Sequence, residues 1–211
     1  MAKRGLLKLE YSVTLVIMFA VLLLVIPFDL ENTVQANFIS RWNDKYHKLE
    51  YMFDVVDKHE QDEILKSFKR AKNAQEREEI LLNVIQPYLR LSKTKLPKRY
   101  KPRFMNGDRI PLTDRYYFED MFISDNGMIV GIKDIDSDDE QAPKFRIMMD
   151  INGKLPPNVW GKDIYGVNMF TDGVEPFGSN LSMEKLIHDC SELGTGVGCS
   201  YFYKIGGGFD D

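Results

Sequence analysis

Between Tyr11 and Phe28 the chain runs for eighteen residues without a charge, YSVTLVIMFAVLLLVIPF. As a helix this run is about 27 Å long, close to the hydrocarbon thickness of a bilayer. Lys3, Arg4 and Lys8 precede it, and Asp29 and Glu31 follow at once. That asymmetry keeps the basic end in the cytoplasm and sends the remainder of the chain outward. A cleaved secretory signal would have a shorter apolar core followed by small residues, whereas PFDLENT begins at the end of this run. A buried soluble helix of this length seldom lacks every charge. The expectation is a single-pass membrane protein with a cytoplasmic N-terminus and an extracytoplasmic bulk.

Three details narrow the span further. A basic leader, MAKR, ends in Gly5; a lone acid, Glu10, stands five residues later; and Pro27 closes the run at the twenty-second position after Gly5. An acid at the start of a membrane helix is costly unless it finds a partner, and the helix start is where the macrodipole favours an anion. This arrangement resembles the type IV pilin and type II secretion pseudopilin family, whose precursors carry the same leader, glycine, acid and proline. The resemblance implies cleavage after Gly5 by a prepilin peptidase and methylation of Leu6 as the new N-terminus. It gives Glu10 the role of pairing with the terminal amine of a neighbouring pilin-like subunit during assembly. Lys8 stands where that family is apolar, so an uncleaved membrane anchor that carries an extracytoplasmic binding module is the alternative reading.

Beyond the span, Ile39, Trp42, Tyr46, Leu49, Phe53 and Val56 recur at steps of three and four, one face of an amphipathic helix. A second helical region is expected from about Gln61 to Leu91, with a break near Asn73. SKTKLPKRYKPRF, basic and proline-bearing, reads as a loop that ends the helices. From Tyr116 the period shifts towards two: a hairpin turning at Asn126-Gly127, then strands in KFRIMMDI, DIYGVNMF and CSYFYKI. The acidic run Asp134, Asp136, Asp138 and Asp139 reads as a solvated loop. The expected fold is α+β: a pilin-like long N-terminal helix, half transmembrane and half amphipathic, packed on a head with further helices and a small antiparallel sheet. The expected divisions are a leader (1–5), a transmembrane helix (6–28), an extracytoplasmic helical region (29–95) and a β-rich head (96–211).

MMDINGKLPPNVWGKDIYG resembles a DxNGxxxPNxxGxD segment of pseudopilin-like proteins, matched by Asp150, Asn152, Gly153, Pro157, Asn158, Gly161 and Asp163. The residues make sense as turn formers without a ligand. Asp150, Asn152 and Asp163 also offer oxygen ligands of the kind calcium takes in loops, and some pseudopilins bind calcium near this end. Cys190 and Cys199 are the only cysteines, both in the exported region, and an oxidising compartment favours a disulfide between them. The enclosed SELGTGVG is glycine-rich, so the bridge is expected to serve the edge of the head more than its core.

A net charge of −4 argues against a nucleic-acid partner. His47, His59 and His188 are scattered, and no GxSxG, HExxH or phosphate loop occurs, so no catalytic residues and no enzyme are expected. The resemblance therefore implies a minor pilin or pseudopilin of a type II secretion or type IV pilus apparatus.

Overall fold

The computed structural model describes residues 2–55, 58–95, 100–135, 137, 139 and 141–208, with side chains throughout except at 2–10, 23–32, 58, 59, 61, 62, 65 and 93–95. Two compact units result, Met1–Asn37 and Phe38–Asp211. Helix α1 (Ala2–Val55) contributes to both. The second unit adds α2 (Lys58–Arg70), α3 (Ala74–Leu89), strands β1 (Leu91–Lys95), β2 (Asp120–Ser124), β3 (Ile129–Asp134), β4 (Phe145–Asp150), β5 (Ile164–Met169) and β6 (Val174–Pro176), then α4 (Met183–Asp189) and α5 (Cys199–Lys204). The fold class is α+β, as expected.

The six strands form one antiparallel sheet in chain order, so each pairs with its sequence neighbour. The β2–β3 connection turns through Asn126-Gly127 as the hairpin signal predicted, with Gly127 at φ +83°. Both faces of the sheet are covered. On one, Trp42, Leu49, Leu81 and Ile85 from the helices meet Val130, Ile132, Ile147 and Val167. On the other, Phe104, Phe118, Trp160 and Phe177 close over Ile129, Met148 and Ile164. Gly131 and Gly166 make that second layer possible, because a Cβ at either would sit within 2.9 Å of the Phe118 or Phe177 side chain.

Helix α1 buries Trp42, Tyr46 and Leu49 as its stripe foretold, and adds Met52 to them. Val56 lies outside the described residues. The break near Asn73 is a helix start: the Asn73 side chain accepts from Glu76 N at 2.9 Å, and the Glu76 carboxylate accepts from Lys72 N at 2.7 Å.

Two expected elements differ. The basic stretch after Leu89 begins as strand β1, paired with β2 between Leu91 and Ser124; as the sheet's edge strand it tolerates lysines that an inner strand would not. CSYFYKI forms helix α5 and no strand. Its aromatics favour strands, but Cys199, Phe202 and Tyr203 reach the core together at spacings of three and four, which only a helix allows.

Helix α3 is tied to β3 by a forked Arg77–Asp134 ion pair, at 2.8 and 2.6 Å, and by the Glu78 carboxylate, which accepts from Asp134 N at 3.1 Å. Burial pushes Glu78 up from 4.5 to about 7; the Asp134 N–H opposes the shift, and the nearby Asp120 and Asp134 carboxylates add to it. A raised carboxyl favours the protonated folded form, so its stabilising contribution is complete below pH 4.5 and is lost as pH rises through about 7. Glu78→Gln keeps an acceptor for Asp134 N. It is expected to match wild type in denaturant midpoint near pH 4 and to exceed it near pH 8. An equal gap at both pH values would remove Glu78 titration as the cause.

Candidate functional site

Two regions carry the residues singled out from the sequence. The first lies on α1. Its described side chains from Tyr11 to Leu22 are all exposed, and Leu15, Val16, Ile17, Met18 and Phe19 in succession place apolar surface on every side of the helix. A helix apolar all round is stable only when lipid or protein covers it. Among the described residues no helix is long and apolar enough to cross a membrane. The apolar run itself continues past Leu22 into 23–28, where side chains lie outside the described set. Gly5, Leu6 and Glu10 fall on the α1 backbone, and their side chains lie outside it too.

The second region joins the β4–β5 connection to the C-terminal loop. Asp150 ends β4 fully buried, and its Oδ1 accepts from Asn152 N at 3.2 Å and Gly153 N at 2.8 Å. Its Oδ2 accepts from the Tyr100 hydroxyl, and with its nitrogen facing the acceptors around it the Asn158 amide donates to the same oxygen at 3.1 Å. Asp163, also fully buried, accepts from Val159 N at 2.7 Å and Asn158 N at 2.8 Å. The two carboxylates thus hold the backbone of the intervening turns, which include a cis Pro156-Pro157 bond. Burial, with the Asp163 charge beside it, pushes Asp150 up to about 8; burial also raises Asp163, against the backbone N–H groups that it accepts from.

Both oxygens of each carboxylate are therefore engaged. Of the three residues singled out as calcium ligands, Asn152 alone has a buried oxygen, Oδ1, without a partner among the described residues. The arrangement suits turn scaffolding, each carboxylate accepting from backbone N–H groups of the turns between them.

Cys190 and Cys199 are bridged, with Cα atoms 5.3 Å apart, linking the end of α4 to the start of α5. The loop between them is packed more deeply than its glycines suggested. Asp189, which the sequence reading passed over, organises it: Oδ1 accepts from Thr195 N at 2.9 Å and Thr195 Oγ1 at 2.7 Å, and Oδ2 from Gly198 N at 2.7 Å. Met105 N and Asn106 N donate to Thr195 O and Gly194 O, both at 3.0 Å. At Gly196, with φ +76°, a Cβ would lie 2.1 Å from Trp160 O. The loop is thereby bonded to Met105 and Asn106 and packed closely on Trp160, within the turn segment that Asp150 and Asp163 hold. An acid two residues before a glycine-rich loop gave little warning of this, since solvated loop acids look the same in sequence.

His47 and His188 are exposed on separate helices, and His59 has no described side chain. Comparison with known proteins gives no match: no family model fits the chain, and neither a curated protein nor a solved structure is similar to it.

Proposed function

We propose that the chain is a pilin-like structural subunit, a minor pilin or pseudopilin of a bacterial type II secretion or type IV pilus apparatus. It is cut after Gly5, methylated at Leu6 and held in the inner membrane by the run from Tyr11 to Phe28. The observation that carries this reading is the exposed, all-round apolar surface from Tyr11 to Leu22, on the same helix whose later residues Trp42, Tyr46 and Leu49 enter the core of an α+β head. Lipid covers such a surface before assembly, and neighbouring subunits cover it in a filament. The Gly5, Glu10 and Pro27 offsets supply the processing and assembly signals. In this reading the role is structural, not catalytic.

Intact mass and N-terminal sequencing of the membrane-extracted protein test the reading. A chain beginning at methylated Leu6 is expected; an intact Met1 turns the assignment to the uncleaved anchor. In the processed protein, Glu10→Ala is expected to leave membrane insertion unchanged and to lower incorporation into filaments about tenfold, as loss of one charge pair would.

A further inference from the structure

The sheet's second face is apolar at one end and polar at the other. Across four strands, Lys133, Arg146, Asn168 and Glu175 stand directly opposite one another in a single row. Past the aromatic cover formed by Trp160 and Phe177, a cleft of about 840 Å³ opens over Arg146, Asn168 and Glu175 of this row. Arg115 and Tyr116 wall it on one side, and α4 with the disulfide loop walls it on the other. The volume falls in the range of small-molecule sites, about 300–1,000 Å³.

Arg115, Arg146 and Lys185 line this cleft beside Glu175, Glu184 and Asp189, so what sets the site is which of these charges is left without a partner. Lys133 and Arg146 are like charges at paired positions, an arrangement that destabilises a sheet when nothing else is bound. Lys133 Nζ turns to the carbonyl oxygens of Asp114 and Arg115, at 2.9 and 3.4 Å. Arg146 is half-buried, and its guanidinium has no hydrogen-bond or ion-pair partner among the described residues. Burial and the Arg115 charge both push Arg146 below its ordinary value. Arg115 lies over the Tyr116 ring at 5.0 Å. The acids around the cleft are mostly engaged: Asp189 by Thr195 and Gly198, Glu175 by the Ser179 hydroxyl, and Asp114 by Tyr116 N, which leaves Glu184 on the far wall.

We propose that this cleft binds a small organic anion, its carboxylate or phosphate oxygens held between the Arg115 and Arg146 guanidinium groups, with the Asn168 amide as a further donor. Guanidinium forks match such oxyanions in pairs of parallel hydrogen bonds. The bound charge relieves the Lys133–Arg146 repulsion, which sets the sign of both effects tested below. The cleft is several times larger than a lone oxyanion, so the rest of the ligand extends along Phe177 and Leu181.

The test uses the full-length chain in a nonionic detergent, melted in inorganic phosphate or in citrate against sodium chloride of equal ionic strength. Wild type is expected to melt higher in at least one of the two anions than in chloride. A response to citrate alone assigns a carboxylate, and a response to phosphate alone assigns a phosphate. Arg115→Gln and Arg146→Gln are each expected to weaken the response about tenfold. Without anion, Arg146→Gln is expected to melt at or above wild type because the like-charge pair is gone, so its lost response is not a failure to fold. Equal melting in chloride, phosphate and citrate overturns the proposal, as does an undiminished response in the Arg146→Gln protein.

Discussion

Trp42→Ala is expected to lower stability by about 3–5 kcal/mol, the cost of removing a large, fully buried aromatic that its surroundings cannot replace. Trp42 is the point where α1 meets the C-terminal end of the chain. Its ring stacks on Tyr165 of β5 at 5.2 Å and tilts against Tyr46 at 5.7 Å. Its Nε1–H donates to Ser200 O at 3.0 Å, joining residues 158 positions apart. The alanine variant therefore loses buried area, two aromatic contacts and the only side-chain donor to that carbonyl among the bonds described. Trp42→Phe separates these contributions. It restores most of the ring contact but removes the Nε1–H bond to Ser200 O, at a cost of about 0.5–1.5 kcal/mol. Denaturant unfolding followed by tryptophan-independent circular dichroism gives both numbers. A loss below about 1 kcal/mol for Trp42→Ala would show that α1 is not part of the head's core.

How much of this was legible in the sequence depends on whether local spacing decided the outcome. The stripe Trp42, Tyr46, Leu49 has one helical reading, and the structure buries all three. Asn126-Gly127 between alternating runs has one hairpin reading, and the hairpin is there. CSYFYKI was harder, because the propensity of its aromatics points to a strand while the spacing of Cys199, Phe202 and Tyr203 points to a helix. Over so short a segment the need to bury three side chains outweighed propensity. The turn-forming role of Asp150 and Asp163 was visible in the surrounding glycines and prolines, although their full burial was not. Arg146 was visible in principle as the one basic residue in strand FRIMMD, whose other charge is Asp150 at its end. Its partner row was not, since Lys133, Asn168 and Glu175 become neighbours only once the register of four strands is set.

The disulfide variant Cys190→Ser/Cys199→Ser is expected to lose about 2–3 kcal/mol from the freed loop in the chain-entropy model. A further loss of about 1–3 kcal/mol follows where the new hydroxyl at position 199 finds no acceptor. The second part arises because Cys199 is fully buried in the same core cluster as Trp42 and Tyr165, so the bridge serves the core and not only the edge. The damage should also spread along the hydrogen bonds that leave the loop. Thr195 O and Gly194 O hold Met105 N and Asn106 N, and Asp189 holds Thr195 and Gly198. Limited proteolysis of the variant is therefore expected to cut at two places, within 191–198 and near 104–108. The stripe from Trp42 to Met52 does not touch those bonds, so the helical signal is expected to survive in native buffer. Cutting confined to 191–198 would mean that the loop and the 104–108 segment are independent of each other. Two reactive thiols per chain in the unreduced protein would mean that the bridge does not form in its host, and the stability difference between wild type and variant should then shrink to the hydroxyl contribution alone.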